Sequence, residues 1–336
     1  MMSIRKKAFL VIIAALSLGP LFAEEAKVYG FSVSPLFGIL YGYAEEIVYK
    51  PNKDVYLSEL LWDLKPLLYA GAAVNFGPRD PFANSGFFAD GSLKAGLPIN
   101  TGIMEDRDWI YNNSPGNYSP SNLTNYSHHY AFSRGAFLAD ISAGYTLRIN
   151  DFFVLGGCIE FSYMYHSWSA YDGYYQYLDA DNYGHVKPGQ TWTNSIPKIK
   201  FNGEVIRYAQ NWFIVSPGLL LKGRFNSLFS LEGFFNYSPL IYCADMDDHL
   251  KSTYTVNGVE KHNVFTEYLK YGHFLDGGGK LSFTPKKNLT LSLAVSYRYI
   301  TGTKGDIYLN GVKDFVYDAG VGYSNLDAGL GLTYTF

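Results

Sequence analysis

Apolar side chains alternate with small or polar side chains along most of this chain. In residues 28–46, the apolar positions include Phe31 and Ile39, whereas the positions between them include Gly38 and Glu46. Successive side chains of a β-strand point to opposite faces, so the pattern predicts a strand with one apolar face and one small, polar face. The apolar face suits lipid, and the other face suits the interior of a closed barrel.

Ten segments share this pattern, and short turns alternate with long loops between them. Most segments are longer than the roughly 9–11 residues that a tilted strand needs to cross a bilayer. The pattern predicts an all-β fold, a ten-stranded antiparallel up-and-down transmembrane β-barrel with periplasmic turns and extracellular loops. The segments are 28–46, about 56–76, 87–102, one ending near 148, 153–166, about 198–224, one beginning at 229, two meeting at 285–288, and a last one ending at Phe336.

The alternation also assigns individual side chains to a face of the sheet. Trp62 and Leu64 in the second segment are expected on the outer face. Cys158 is expected inside the barrel and Cys243 outside it, which predicts that these two cysteines form no disulfide.

The first 23 residues have the features of an export signal. A positively charged start at residues 5–7 precedes an apolar core at residues 8–18, and Leu-Phe-Ala at residues 21–23 forms a plausible cleavage site. We therefore predict a signal peptide over residues 1–23. Residues 24–336 are predicted to form the barrel, located in the cell outer membrane.

The amino-acid composition favours a membrane barrel over a soluble secreted protein. The chain contains 30 Tyr, 24 Phe and 34 Gly, and only 17% of its residues are charged. Tyr and Phe supply the aromatic girdles of such barrels, and Gly is used where the backbone is crowded. The formal net charge of -3 argues against nucleic acid as a partner.

Two acidic clusters lie where the third and seventh segments end. Residues 104–109 read Met-Glu-Asp-Arg-Asp-Trp, and residues 245–249 read Asp-Met-Asp-Asp-His. With periplasmic termini, both clusters and Glu46 lie at the extracellular rim, and the two segments stand nearly opposite each other in a ring of ten. The topology therefore predicts that the two clusters meet in one cleft. Our hypothesis is that together they hold a water molecule for peptide hydrolysis.

Simple alternation along the seventh segment conflicts with this cleft. It places Asp245, Asp247 and His249 on the outward-facing positions. An inward-facing site requires a bulge or strong twist between Tyr237 and Asp245. Pro239 is a candidate position for it, because proline has no N–H to donate to the sheet.

The motifs as a set resemble the omptin family of outer-membrane proteases. Residues 106–109 look like the family's Asp-x-Asp-Trp motif, and residues 245–249 look like its Asp-x-Asp-Glu-His motif, with Asp248 in place of the usual Glu. Residues 38–49 are similar to the family's first strand, and Tyr-Thr-Phe at residues 334–336 is similar to its C-terminus. The resemblance implies an endopeptidase that cleaves next to basic residues, often between two of them.

The resemblance also implies a role for each acidic and imidazole side chain. His249 and Asp106 would share the attacking water, with His249 as the general base. Asp247 would hold the His249 ring and stabilise its charged form, and Asp108 would form a carboxylate couple with Asp106. Such roles suit the physics of these groups, because neighbouring carboxylates raise one pKa of the pair and move that of a nearby histidine.

Substrate and lipid are the partners that the resemblance implies. Glu46 and Asp245 would line an acidic pocket for the Arg or Lys side chain of a peptide or protein, and Met104 would line the same cleft. No metal and no cofactor are expected. A dependence on lipopolysaccharide or another outer-membrane lipid stays open, because the outward positions of the fifth segment include Ile159 and Phe161 instead of charged residues.

A barrel of the same build without catalysis is the alternative interpretation. Such a protein would act as an adhesin or a narrow pore. A narrow pore would show ion conductance, although ten strands leave little lumen once side chains fill the barrel.

Overall fold

A computed structural model describes residues 28–50, 55–109, 123–178 and 191–336 of the chain. The predicted signal peptide, residues 1–23, lies outside the described residues. In the described part there is no helix that is long and apolar enough to cross a membrane.

The described residues form a single antiparallel sheet of fifteen β-strands. The strands carry the period-two pattern of the sequence, and several run well beyond the segments that the pattern predicts. Their bounds are β1 Tyr29–Tyr49, β2 Tyr56–Pro78, β3 Gly86–Gly96, β4 Asn100–Asp108, β5 Asn125–Arg148, β6 Phe153–Tyr177, β7 Ile199–Lys200, β8 Glu204–Arg224, β9 Phe229–Ser238, β10 Ile241–Val256, β11 Val259–Lys270, β12 His273–Lys286, β13 Leu289–Thr301, β14 Lys304–Leu309 and β15 Val312–Thr335.

The strand pairings close the sheet into a ring. The first strand, β1, pairs with β2 on one side and with the last strand, β15, on the other. Four ring positions are each shared by two consecutive strands, namely β3 with β4, β9 with β10, β11 with β12, and β13 with β14. Apart from the two-residue β7, which pairs with the end of β6, the described strands therefore occupy ten ring positions. The predicted ten-stranded antiparallel up-and-down barrel is confirmed.

Large apolar side chains cover the outside of the ring in a continuous band. A soluble protein presents its outer surface to water, whereas this apolar surface suits contact with lipid. At one end of the barrel the strands continue as a projecting mouth with charged side chains such as Glu59 and Arg107, which form an ion pair at 2.9 Å. Exposed members of the band include Phe31, Phe37, Ile39, Tyr41, Leu68, Leu93, Phe137, Ile141, Ile159, Phe161, Phe213, Leu219, Leu231, Leu281, Leu293, Tyr297 and Leu330.

The second strand reverses its facing within the barrel wall. Leu40 pairs with Leu67 and Gly42 pairs with Leu64, so β2 has one residue more than β1 in this interval. An extra residue exchanges the inward and outward positions of a strand. Trp62 and Leu64 are consequently buried inside the barrel, and their predicted place on the outer face was wrong.

An aromatic layer fills the barrel below the mouth. The Trp62 ring stacks on Tyr208 with centroids 5.5 Å apart, and Tyr208 stacks on Trp168 with centroids 6.0 Å apart. All three rings are buried. Trp168 and Tyr208 are paired residues of the adjacent strands β6 and β8, and Trp62 comes from β2. Below this layer the interior becomes polar, with a cavity of about 290 Å³ in which Arg298 pairs with Asp276 at 2.6 Å.

Candidate active site

The seventh ring position changes register where β9 gives way to β10. Asn236 pairs with Gly218 of β8 and Ile241 pairs with Ile214. The chain therefore advances five residues from β9 to β10 while β8 advances only four. Pro239 lies within the interval and cannot donate to a ladder. The bulge that the sequence required near Pro239 is therefore present.

The bulge reverses the facing of every side chain in β10. Asp245 and Asp247 point into the mouth and are only 3% and 2% exposed, whereas Met246 between them is exposed on the outer surface. Cys243 is fully buried on the inward side as well, so its predicted outward facing was wrong, for the same reason. Both cysteines are free, as predicted.

His249 follows Asp247 on the same face of β10 and forms an ion-pair contact with it. The imidazole Nε2 lies 2.5 Å from Asp247 Oδ2, and the His249 ring packs edge-on against Phe265. A carboxylate only accepts hydrogen bonds, so Nε2 carries the proton and Nδ1 is the basic nitrogen of the neutral ring. Asp247 therefore fixes both the orientation and the tautomer of His249.

Asp106 and Asp108 lie on β4, which is paired with β2 on one side and β5 on the other. Their place depends on Gly102, whose φ of 122° is disfavoured for other residues and whose Cβ would lie 2.6 Å from Asp63 Oδ2. Asp63 accepts a hydrogen bond from the backbone N–H of Ile103, the residue after Gly102, at 3.1 Å. This local structure turns Asp106 inward, where it is 8% exposed beside Ser127.

The charges of the two walls act on each other across the mouth. Burial raises the pKa of Asp106 well above its usual value, the charge of Asp108 raises it further, and His249 lowers it. Burial likewise raises the pKa of Asp108 to about 6, against a hydrogen bond from a serine and the charge of His249, which lower it. The β4 carboxyl groups therefore lie close enough to His249 for each side to shift the pKa of the other.

His249 carries the opposite balance of effects. Burial alone lowers the pKa of His249, but the charge and hydrogen bond of Asp247, followed by the charges of Asp106 and Asp108, raise it to about 9. The free site at neutral pH accordingly holds an imidazolium ion next to the Asp247 carboxylate. The predicted convergence of the two acidic clusters with the histidine is thus present in the described residues.

A group of further carboxylates lies beside the His249–Asp247 pair. Burial raises the pKa of Glu46 well above its usual value, and so do the charges of Asp247, Asp245 and Asp106. Burial also raises the pKa of Asp245 to about 8, although the Tyr208 hydroxyl donates a 2.9 Å hydrogen bond to its Oδ2. These carboxyl groups form an acidic cluster beside the aromatic layer, and their raised pKa values mean that each binds a proton more tightly than a free carboxyl group does.

Met104 occupies the inward row of β4 just below Asp106. It is fully buried in the core cluster that contains Trp62 and Trp168. Met104 therefore supports the floor of the mouth from within the core. In the described residues no three or more His, Cys, Asp and Glu side chains have the arrangement that would hold a metal ion.

Two residues near the site were not singled out by the sequence. Ser127 lies opposite Asp106 on β5, and its Oγ is 2.8 Å from Nε2 of the buried His129. Glu267 lies opposite Asp245 on β11 and is 1% exposed. The inward parity of β11 could have indicated Glu267 only if the register of its hairpin with β10 had been known.

Comparisons with known proteins agree with this architecture. The model of the Omptin family matches residues 27–336. The plasminogen activator of Yersinia pestis is 27% identical to the chain over 222 residues, which are 65% of this chain and 62% of that protein. The crystal structure of the outer membrane protease OmpT from Escherichia coli has a TM-score of 0.72 and 22% sequence identity, and the match covers 91% of this chain and 97% of that one.

The family match extends over the whole barrel, including both walls of the mouth. The likeness to the solved structure concerns the fold, because the sequence identity is low. With its apolar band and its closed ring, this chain is a transmembrane β-barrel. It belongs to the Omptin family.

Proposed function

We propose that this protein is an outer-membrane endopeptidase that cleaves peptides and proteins next to basic residues, often between two of them. The observation that carries the proposal is the pairing of His249 with Asp247 on one wall, opposite Asp106 and Asp108 on the other. Family membership places the chain among barrels that include a protease of the outer membrane. In this proposal the site opens to the extracellular side.

The proposed nucleophile is a water molecule held between His249 and Asp106. Neutral His249 takes a proton from the water through Nδ1 while the water oxygen attacks the carbonyl carbon of the scissile peptide bond. The imidazolium that forms is stabilised by the Asp247 carboxylate, and it returns the proton to the leaving amine. Asp106 accepts the second hydrogen of the water, and so orients one lone pair towards the carbonyl.

Asp108 has a supporting role in this proposal. Among the neighbouring charges, that of Asp108 raises the pKa of Asp106 the most. Two buried carboxyl groups do not both ionise at low cost, so the couple retains one proton over a wide pH range. That proton keeps Asp106 and Asp108 close together without repulsion while the water is bound.

The acidic cluster of Glu46 and Asp245 supports the preference for basic side chains, because a bound cation lowers the raised pKa values of these groups and stabilises their charged forms. Glu46 Oε2 and Asp245 Oδ1 are buried and accept no hydrogen bond from any residue that the structure describes. A buried acceptor without a partner is costly, and an Arg or Lys side chain of the substrate would supply the missing donors. We assign these two residues to substrate binding.

The test of the function uses cells or lipid vesicles that carry the protein and a quenched fluorescent peptide containing Arg-Arg. His249→Ala and Asp106→Asn are expected to reduce kcat by about 10²–10⁴-fold, as is usual for the loss of a general base or its partner. His262→Ala is the matched control, because His262 belongs to the same hairpin but contacts Asp248 on its outer side. Equal cleavage by the wild type and His249→Ala would reject the proposal.

Mass spectrometry of the products identifies the cleaved bond. Glu46→Gln and Asp245→Asn are expected to weaken the preference for basic residues, and unchanged cleavage sites and rates would refute their assignment. A chelator is expected to leave the rate unchanged, because the proposed chemistry uses only carboxyl and imidazole groups. Adding lipopolysaccharide to vesicles that lack it measures any requirement for this lipid.

A further inference from the structure

Glu267 lies between the two assigned pocket residues along the barrel wall. On β11 it pairs with Asp245 of β10 on one side and with Ile307 of β14 on the other. Strand β14 pairs with β15, whose Val321 pairs with Glu46 of β1. Going round the ring, the inward carboxyl groups therefore follow in the order Asp245, Glu267, Glu46.

All three carboxyl groups face one another inside the mouth. The charges of Asp245 and Glu46 act on Glu267, and all three charges act on the Tyr208 hydroxyl between the walls. Glu267 is buried, and its pKa is raised well above the usual value, first by burial and then by these neighbours. Glu267 is thus part of the pocket and not a separate surface acid.

The pocket contains unused hydrogen-bond acceptors. Within the described residues, neither carboxylate oxygen of Glu267 has a donor, nor do Glu46 Oε2 and Asp245 Oδ1. The charge of Asp245 raises the pKa of Glu267, so the two carboxyl groups lie close together. Four buried acceptors without donors call for a ligand that brings several N–H groups at once.

A guanidinium group fits this set better than an ammonium group. Arginine offers five N–H donors in a planar fork, whereas lysine offers three donors at a single nitrogen atom. A planar fork donates to carboxylates on several sides, which matches acids that are spread over β1, β10 and β11. With lysine in the pocket, part of the Glu267 carboxylate would stay unpaired.

We propose that Glu267 is a third carboxylate of the substrate pocket and that it makes the pocket select arginine over lysine. This inference rests on the proposed function, because it concerns the side chain that the protease would bind. It adds to the pair Glu46 and Asp245 a residue that contacts the substrate and determines its specificity.

The test compares three peptides that differ only at the residue bound by the pocket, which is arginine, lysine or citrulline. Citrulline has nearly the shape of arginine without its charge. For the wild type, kcat/KM is expected to be highest with arginine, lower with lysine and lowest with citrulline. In Glu267→Gln, the arginine-to-lysine ratio is expected to fall by about tenfold, the effect of losing one charge-assisted hydrogen-bonding partner.

The loss in Glu267→Gln is expected in KM for the arginine peptide. Glu267→Asp, which keeps the charge, is expected to recover part of the arginine preference, as a merely structural role would not. Glu260→Gln is the matched control, because Glu260 is an exposed residue of the same strand. Inhibition by agmatine, a free guanidinium compound, reports the same binding step without catalysis.

Two failures are distinguishable in this experiment. If the wild type cleaves none of the peptides, the proposed function is wrong. If the wild type prefers arginine and Glu267→Gln keeps both that preference and its agmatine inhibition, only the assignment of Glu267 is overturned. Should Glu267→Gln not fold, the Glu267→Asp peptide ratios decide, since a shorter side chain must weaken the arginine preference measurably.

Discussion

Replacing Asp247 by Asn tests the ion pair at the centre of the proposed mechanism. The substitution keeps the size and shape of the side chain but removes its charge and its purely accepting character. Asp247 is the first of the groups that raise the pKa of His249, ahead of Asp106 and Asp108. Burial lowers the pKa of His249, and without the charge of Asp247 fewer groups counteract this effect. The imidazolium therefore becomes less stable.

The magnitude follows from the pKa of His249. The difference between about 9 and the ordinary value of 6.5 corresponds to roughly 3 kcal/mol of net stabilisation of the imidazolium. Because the pKa in the folded state is raised, this contribution to stability is complete below about pH 6.5 and is lost as the pH rises through about 9. Loss of an adjacent opposite charge lowers the pKa of a histidine by about 1–3 pH units, so we expect the pKa of His249 to be about 7 in Asp247→Asn.

Titration of the imidazole by NMR, with isotope-labelled histidine in detergent micelles, measures the pKa directly. The His249→Ala spectrum assigns the signal, and Asp248→Asn serves as the control because Asp248 contacts His262 instead of His249. The kcat of Asp247→Asn is expected to fall by about 10²-fold or more, since the ring loses its orientation and tautomer. A His249 pKa that stays near 9 in Asp247→Asn would refute the reasoning.

Three further predictions follow from the same geometry. The kcat/KM for an Arg-Arg peptide is expected to rise with pH between 6 and about 9, because only neutral His249 accepts the proton; a flat profile in a steady-state assay would contradict this. Deleting Leu240 removes the extra residue of the bulge and is expected to abolish peptide cleavage, because the side chains of β10 then face outward. The folded barrel is still expected to form, which a heat-dependent shift in its migration on a gel would show. Retained activity would refute the role of the bulge. Cys243 is expected to resist a maleimide reagent in the folded protein and to react after unfolding, whereas rapid labelling of the folded barrel would show that it faces outward.

The period-two alternation predicts the fold because it reflects a physical requirement of the barrel. Each strand must present one face to lipid and the other to the interior, so the ten segments and their order are readable from the sequence. Facing fails only where the pairing register changes. Trp62 was misplaced because an extra residue of β2 lies between Leu64 and Leu67, and alternation carries no information about such a residue.

The candidate site was predictable in part. The predicted inward facing of Asp106 is confirmed by its burial, and Pro239 pointed to the bulge that turns Asp247 inward. Glu267 could not be assigned to the site from the sequence, because the alternation does not give the pairing register of the β10–β11 hairpin. Counting back from the turn at Asn257-Gly258, where Val256 pairs with Val259, an undisturbed hairpin would pair Asp245 with Lys270.

A bulge in the β10–β11 hairpin changes which residue pairs with Asp245. His249 pairs with Asn263 and Thr253 pairs with His262, so three additional residues of β10 bulge out between these pairs. The shift brings Glu267, instead of a lysine, opposite Asp245. Tertiary packing decides the size of such a bulge, and a single sequence offers no measure of it.

The stacked rings of Trp62, Tyr208 and Trp168 separate the chemistry of the mouth from the far end of the barrel. All three rings are buried, so a layer of indole and phenol rings lies between the acidic cluster of the mouth and the polar cavity below it. The same layer means that a substitution in the mouth can alter the candidate site without changing the packing of the polar interior beneath it.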